Sequence, residues 1–161
     1  MILQRLSRRS CSFLIIQTNN VMRFPFVSSP AHEGQGVLMP FLPLALSYKD
    51  RHIKTYGMLD TGSMVNVLPF SVGLSLGAVW ESQNVPVELG GNLAAYEARG
   101  ILIDATVGGL PSVRLAFAWT RADYIPLLLG QTNFFMEFDV LFSRSALFFD
   151  VSSKGLGTIN R

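Results

Sequence analysis

The chain has 161 residues, of which 49% are hydrophobic and only 15% are charged. This length suits one domain, and the composition argues against disorder and against a solvated coiled coil. The formal net charge of +2 divides unevenly: residues 1–32 hold four of the 13 Lys and Arg but none of the 11 Asp and Glu, so the remainder is mildly acidic. A clustered basic face for nucleic acid is therefore not predicted.

One cysteine, Cys11, and two histidines, His32 and His52, leave few side chains for metal binding or nucleophilic catalysis. A single thiol cannot form an internal disulfide or a thiolate cluster, and two imidazoles are too few for most zinc sites. Neither histidine lies in a recognisable motif of a serine hydrolase. The sequence therefore predicts no metal site and no cofactor.

Residues 1–36 are predicted to form a basic, flexible N-terminal arm. Three interpretations stay open: a disordered arm, a targeting or export segment, or an extension ahead of a true start at Met22. The apolar stretch at 11–16 is shorter than the core of a signal peptide, and the run at 37–46 is interrupted by two prolines. No transmembrane anchor is predicted, and the compartment stays open, with the cytoplasm favoured.

Short strand patterns separated by turn signals fill the rest of the chain and predict an all-β barrel or sandwich with one or two short helices. The expected strands are, in chain order, 37–48, 52–59, 65–68, 85–89, 93–101, 101–107, 113–120, 125–129, 137–142 and 146–151. A brief helix is expected from Pro69 to about Gly77. Residues 37–151 are thus the predicted domain, and 152–161 are a C-terminal tail.

The most informative stretch is Asp60-Thr61-Gly62-Ser63, which directly follows an apolar strand. Gly62 allows the backbone to turn sharply and to approach a ligand. The hydroxyls of Thr61 and Ser63 can donate hydrogen bonds that orient the carboxylate. A strand end followed by an Asx turn gives the same pattern, so this stretch alone leaves the function open.

With its surroundings, this stretch resembles the active-site loop of the retropepsin-like aspartic proteases. The resemblance spans residues 37–151 and rests on three groups of residues: Gly57–Ser63, Val67-Leu68-Pro69 with Leu76-Gly77, and Leu127-Leu128-Leu129-Gly130. It implies the closed acid-protease barrel of a single-lobe subunit. Leu129 and Gly130 would support the catalytic loop from behind, and Gly90, Gly91 and Asn92 would form the tip of the flap hairpin that closes over substrate.

The resemblance also implies an aspartic endopeptidase that hydrolyses peptide or protein substrates. Because such hydrolysis needs two aspartates and this chain has one Asp-Thr-Gly, two copies must meet as a homodimer with Asp60 of each at the two-fold axis. Two carboxylates about 4 Å apart repel by about 4 kcal/mol at an effective dielectric constant of about 20, so they are expected to share one proton. Thr61 would bond across the dimer to its twin, and Ser63 would lie beside the outer carboxylate oxygen.

Two positions depart from the family. Many members have an acid just after the active-site loop and an arginine after the Leu-Leu-Gly, which form an ion pair near the dimer interface. This chain has Met64 and Gln131 there, so neither charge is left unpaired. Val65, Leu93 and Ile125 are expected to line the substrate pocket.

The six phenylalanines between 134 and 149 are expected to fill the core and the dimer interface rather than to form subsites. Two alternatives to the protease stay open. One is a catalytically silent retropepsin-fold module that dimerises or binds peptides. The other is a small barrel for an apolar ligand, in which Asp60 is only a turn residue.

Overall fold

Ten β-strands and two short helices form the part of the chain that the computed structural model describes, residues 17–18, 21–28 and 37–154. The strands are β1 (Gln17–Thr18), β2 (Val21–Pro25), β3 (Phe41–Tyr48), β4 (Arg51–Leu59), β5 (Asn66–Leu68), β6 (Ala98–Thr106), β7 (Val113–Thr120), β8 (Leu127–Leu129), β9 (Phe138–Ser143) and β10 (Phe148–Ser153). The helices are α1 (Phe70–Ser75) and α2 (Phe134–Glu137). Neither helix has the length and hydrophobicity of a membrane-spanning segment.

Six of the strands close into a barrel in the order β3-β4-β8-β5-β7-β6. β3 and β4 pair antiparallel across the turn at Lys49-Asp50, and β6 and β7 form a second long hairpin. β8 pairs parallel with β4, and β5 lies between β8 and β7. The prediction of an all-β closed barrel with one or two short helices is confirmed, and the structure has two.

Alternating side chains of the strands fill the interior of this barrel. In β3, the side chains of Leu42, Leu44 and Leu46 are buried, because successive residues of a strand point to opposite faces. Pro43 lies between them and is half-buried. Its missing N–H is tolerated because β3 pairs with β6 only over Ala45–Ser47, so Pro43 stands where β3 has β4 as its one neighbour.

A second sheet, in the order β1-β2-β10-β9, shares its hydrophobic core with the barrel. β10 lies between β2 and β9 and pairs antiparallel with both. Met22 and Phe24 of β2 are buried together with Phe149 of β10, and the rings of Phe24 and Phe149 stack at 5.6 Å between centroids. The two ends of the described chain are thereby held in one sheet.

The prediction of a flexible arm over residues 1–36 does not hold for β2. This strand falls within that range, yet it pairs with β10 over five positions. The buried side chains alternate along β2 as they do in a half-buried strand, which an arm would not require. The boundary predicted at residue 37 therefore cuts through the folded unit, and β10 ends at Ser153 rather than at 151. The remainder of the predicted arm, including Cys11, and residues 155–161 of the predicted tail lie outside the described residues.

A bidentate ion pair between Arg23 and Asp150 joins β2 to β10. The Nε–Oδ1 distance is 2.7 Å and the Nη2–Oδ2 distance is 2.8 Å. The hydrogen bond from Arg23 lowers the pKa of Asp150 below its ordinary value. A carboxyl group whose pKa is lower in the folded state stabilises the fold above its unfolded pKa, and this contribution is lost as the pH falls through the folded pKa.

Asp150→Asn is therefore expected to lower the melting temperature at neutral pH, and the difference from wild type should begin to shrink below about pH 4 and disappear as the pH falls through the lower pKa of the folded state. Thermal unfolding followed by circular dichroism over this pH range measures the effect. Asp104→Asn is the matched control, since Asp104 makes the same bidentate pair with Arg114 but is far more exposed, at 42% against 14% for Asp150. A difference in melting temperature that is independent of pH would contradict the assignment.

Candidate active site

The candidate catalytic carboxylate, Asp60, is the first residue after β4. Its N–H donates to the carbonyl oxygen of Leu129 at 3.0 Å, which continues the parallel pairing of Leu59 with Leu129 between β4 and β8. The structure thus brings Asp60 close to Leu129 and Gly130, a pair that lies far from it in the sequence. Gly57 makes this packing possible, because a Cβ there would lie 2.7 Å from Cδ1 of Leu129.

A tight turn after Asp60 orients its side chain. The Asp60 carbonyl oxygen accepts a hydrogen bond from the N–H of Ser63 at 3.1 Å, and its Oδ1 accepts one from the N–H of Gly62 at 2.9 Å. Asp60 is half-buried, whereas Thr61 and Gly62 are exposed at the tip of the turn. The carboxylate is therefore fixed on one oxygen by the backbone, and the tip of the turn is open to a second molecule.

Ser63 is predicted to lie beside the outer carboxylate oxygen of Asp60. Its hydroxyl donates to the carbonyl oxygen of Val65 at 2.8 Å, so its one proton is used within the loop and is not given to Asp60. The Ser63 hydroxyl therefore links two residues of the loop that leads into β5.

Gly130 fits closely behind the loop. A Cβ at this position would lie 2.7 Å from the carbonyl oxygen of Ser63 and closer still to that of Val65. The N–H of Gly130 donates to Oδ1 of Asn66 at 2.8 Å, and Nδ2 of Asn66 donates to the carbonyl oxygen of Ala116 at 3.0 Å. The fully buried Asn66 amide therefore links the loop, β8 and β7.

Asn66 supports the candidate site and was not among the residues predicted from the sequence. It is one of two buried polar side chains in the described chain, and it lies in a strand whose three residues are all buried. A polar residue between Val65 and Val67 is the signal in the sequence, since a buried amide requires hydrogen-bonding partners. Which partners it has could not be read from the sequence.

Residues 131 and 132 complete the support of the loop. The N–H of Gln131 donates to the Ser63 carbonyl oxygen at 2.9 Å, and its Nε2 donates to the Thr61 carbonyl oxygen at 2.9 Å. The N–H of Thr132 donates to the Met64 carbonyl oxygen at 2.7 Å. Gln131 thus ties its segment to the loop with an uncharged side chain at the position where many family members have arginine.

The predicted flap forms a hairpin only at its base. The N–H of Val87 donates to the Ala98 carbonyl oxygen at 3.0 Å, and that of Gly100 donates to the Val85 carbonyl oxygen at 2.7 Å. Beyond this base the strands expected over 85–89 and 93–101 do not form, and Gly91–Leu93 is a 3-10 turn. The alanines that follow this turn, Ala94 and Ala95, have low strand and high helix propensity, which explains the difference.

The loop between the two ends of this base, residues 88–97, carries the exposed Gly90, Gly91 and Asn92 at its turn. Gly91 has a φ of +58°, a conformation that favours glycine. Tyr96 of this loop packs against Tyr124, with ring centroids 5.5 Å apart, and so joins the loop to the segment that precedes β8. The predicted flap residues therefore lie in a loop with a fixed contact rather than at the tip of a long hairpin.

Comparison with known proteins identifies a relative in fold and none in sequence. No protein-family model matches the chain, and no curated protein matches it. Among solved structures, it is similar to a retropepsin-like aspartic protease from Rickettsia conorii, with a TM-score of 0.56 and 13% identity over 87% of this chain and 98% of that chain. The fold is retropepsin-like. At this identity the likeness shows the fold alone.

An apolar groove lies beside the candidate catalytic loop in this retropepsin-like barrel. Its volume is about 330 Å³, and Val65, one of the three expected pocket residues, lines it. Leu93 and Ile125, the other two, are half-buried in loops and do not line this groove.

Of the six phenylalanines expected to fill the core and the dimer interface, three are fully buried in the core. Phe134, Phe138 and Phe149 are fully buried, whereas Phe142 is 37% exposed. Phe134 packs against Phe138 with centroids 4.9 Å apart, directly after the segment that supports the loop. No group of three or more His, Cys, Asp or Glu side chains that could hold a metal ion occurs in the described part of the chain.

Proposed function

We propose that the protein is an aspartic endopeptidase in which Asp60 of each of two subunits forms the catalytic dyad. The observation that carries this proposal is the placement of Asp60: half-buried at the end of β4, with Oδ1 held by the Gly62 N–H and with Gly130 packed behind the turn. This arrangement occurs in a retropepsin-like barrel. Since one subunit supplies one such carboxylate, a second subunit must supply the other.

The reaction follows from two carboxylates that share one proton. The ionised member removes a proton from a water molecule, whose oxygen bonds to the peptide carbonyl carbon, while the protonated member gives its proton to the carbonyl oxygen. The newly protonated carboxyl then gives a proton to the amide nitrogen as the C–N bond breaks, and its partner takes one from the diol. The products are a carboxylic acid and an amine, and the dyad again holds one proton.

Two surfaces support a homodimer. The tip of the catalytic turn, Thr61 and Gly62, is exposed, and Met64, two residues after the tip, is 69% exposed although it is apolar. In addition, β9 pairs only with β10 among the described residues, and it carries Leu141, which is 64% exposed. An unpaired strand edge with exposed apolar side chains is a template for pairing with a second chain. Under this proposal Thr61 contacts its twin in the partner subunit.

The substrate would lie extended between the catalytic turn and the loop at 88–97. Gly90, Gly91 and Asn92 would cover it, because backbone groups that carry no bulky side chain can approach a peptide closely and bond to its main chain. Tyr96 and Tyr124 hold this loop to the segment before β8, so closure over a peptide requires their contact to shift or to move as a unit.

Mixing of subunits tests the shared dyad. When Asp60→Asn protein is added to a fixed amount of wild type and the subunits exchange, peptide-cleaving activity should fall to about one half at equal amounts and to about one tenth at a ninefold excess, because mixed dimers lack one carboxylate. The measurement is initial rate on a peptide in large excess, with sedimentation velocity on the same samples. The control is Asp50→Asn, a change in the exposed β3–β4 turn, which should not inhibit.

The outcomes separate the candidate functions. Activity that is unaffected by the inactive subunit would contradict the shared dyad. A dimer that binds peptides and statine-type transition-state mimics without cleaving anything would indicate the silent module. A monomer that binds neither peptides nor statine-type mimics would indicate a barrel in which Asp60 is only a turn residue.

A further inference from the structure

The first part of β4, residues 51–56, has a neighbouring strand on one side only. β3 pairs with it along its whole length, whereas β8 begins at Leu127 and pairs with β4 only over residues 57–59. Among the described residues, no other strand pairs with residues 51–56. This part of β4 is therefore an open strand edge, and such an edge is a template for an added strand.

Two hydrogen bonds at the end of β4 show which of its residues face the open edge. The Leu59 N–H donates to the Pro40 carbonyl oxygen, on the β3 side, at 3.1 Å, and the Asp60 N–H donates to the Leu129 carbonyl oxygen of β8 at 3.0 Å. Successive residues of a strand direct their N–H and C=O groups to alternate sides. Odd-numbered residues of β4 therefore face β3, and even-numbered residues face the open edge.

The groups at the open edge are thus the N–H groups of His52, Lys54 and Tyr56 and the C=O groups of the first two. None of them has a hydrogen-bonding partner in the part of the chain that the structure describes. The side chains of these three residues are exposed, whereas those of Ile53 and Thr55, on the opposite face of the strand, are half-buried. An extended segment of about five residues along this edge would bond to these groups and enlarge the sheet.

Positive charge is concentrated at the open edge. Lys54 lies at its centre, Lys49 lies in the preceding turn, and Arg51 lies at its end, where the Arg51 side chain packs so closely on Gly77 that a Cβ there would be 2.8 Å from Arg51 Cδ. None of the ion pairs in the described residues includes any of these three cations. Asp50 is the one acid in this stretch of the sequence. The edge therefore suits an acidic segment.

The same charge argues against the other occupants of the edge. Antiparallel pairing with a second copy, centred on the edge, places Lys54 opposite Lys54, and like charges directly opposite each other are destabilising. Segments of this chain outside the described residues are no better suited: 1–16 has three arginines, 155–161 has one, neither has an acid, and 29–36 has a single acid.

We propose that the open edge of β4 is a docking site for an extended acidic segment of another protein, which binds as an additional strand. In this segment acidic residues alternate with aliphatic ones. The acids lie on the exposed face with Lys54, and the aliphatic residues lie on the face of Ile53, because side chains alternate along a strand. This surface goes beyond the proposed function and does not depend on it.

The test uses an acetylated and amidated heptapeptide in which glutamate alternates with valine. It is titrated into Asp60→Asn protein, so that the peptide is not consumed, and amide hydrogen exchange is followed by NMR. At saturation, the amides of His52, Lys54 and Tyr56 should exchange about tenfold or more slowly than in the peptide-free protein. The amides of Ile53 and Thr55, which already face β3, should not change.

Two controls separate strand addition from attraction by charge alone. The same peptide with every amide nitrogen methylated keeps its carboxylates but donates no main-chain hydrogen bond, and it should bind about tenfold or more weakly. Lys54→Glu should weaken binding of the unmodified peptide by about tenfold, since an attractive pair becomes a repulsive one. Lys154→Glu makes the same change at an exposed residue just after β10 and should leave the affinity unchanged.

Three outcomes would overturn the proposal. Equal affinity for the two peptides would show attraction by charge without an added strand. Binding that leaves the three edge amides unprotected would place the peptide elsewhere on the protein. Protection of these amides without peptide, rising with protein concentration, would identify a second copy of the chain as the occupant.

Discussion

Asp60→Asn is expected to abolish peptide hydrolysis, with a loss in kcat/KM of about 10²- to 10⁴-fold. Asparagine cannot remove a proton from water, and it cannot pass one to the carbonyl oxygen. The substitution is nearly isosteric, and its Oδ1 can still accept the hydrogen bond that Gly62 donates to Asp60 at 2.9 Å. The fold and the dimer should therefore persist while the chemistry stops.

The measurement is initial rate on a fluorogenic peptide, with melting temperature and sedimentation recorded for each variant. Asp50→Asn is the matched control, because it makes the same chemical change at an exposed turn. A statine-type mimic should inhibit wild type strongly, because the hydroxyl of the mimic occupies the place of the attacking water between the carboxylates. The mimic should bind Asp60→Asn far more weakly. Cleavage by Asp60→Asn at the wild-type rate would contradict the assignment of Asp60.

The barrel was predictable from the sequence because its long hairpins are local. β3 with β4 and β6 with β7 are joined by short turns, and the alternation of apolar residues marks each strand. β2 was assigned to a flexible arm instead, because its partner is distant. The Arg23–Asp150 pair joins residues that are 127 positions apart, and no local pattern connects them.

The candidate site also has contacts that could be predicted from the sequence and contacts that could not. Asp60 and Gly130 could be paired in advance because the motifs that contain them resemble those of a known family. The hydrogen bonds of Asn66 to residues 50 and 64 positions away, and the bond from Gln131 to the Thr61 carbonyl oxygen, depend on how loops cross in three dimensions. The conformation of the loop at 88–97 was predicted wrongly, as a long hairpin, for another reason. Its two glycines and two alanines have only weak local conformational preferences.

Gly130→Ala is expected to damage stability and activity together, although it adds one methyl group. The Cβ would lie 2.7 Å from the Ser63 carbonyl oxygen and nearer still to that of Val65. Both obstacles are backbone atoms that cannot rotate away, because Ser63 accepts the Gln131 N–H and Val65 accepts the Ser63 hydroxyl. Relief requires the loop to move away from β8, which costs about 1–3 kcal/mol of unfolding free energy.

The displaced loop would also carry Asp60 away from its position, because the Asp60 N–H is bound to Leu129, next to the substituted residue. Urea unfolding and peptide cleavage on the same preparation measure both effects. Gly90→Ala is the control for stability alone, since Gly90 has a φ of −99° and nothing lies within 4 Å of the added Cβ; it should change the unfolding free energy by less than about 0.5 kcal/mol. Equal stability of the two alanine variants would contradict the claim that the loop depends on close contact with Gly130. A Gly130→Ala protein that is stable but inactive would show that Asp60 can be displaced without unfolding of the barrel.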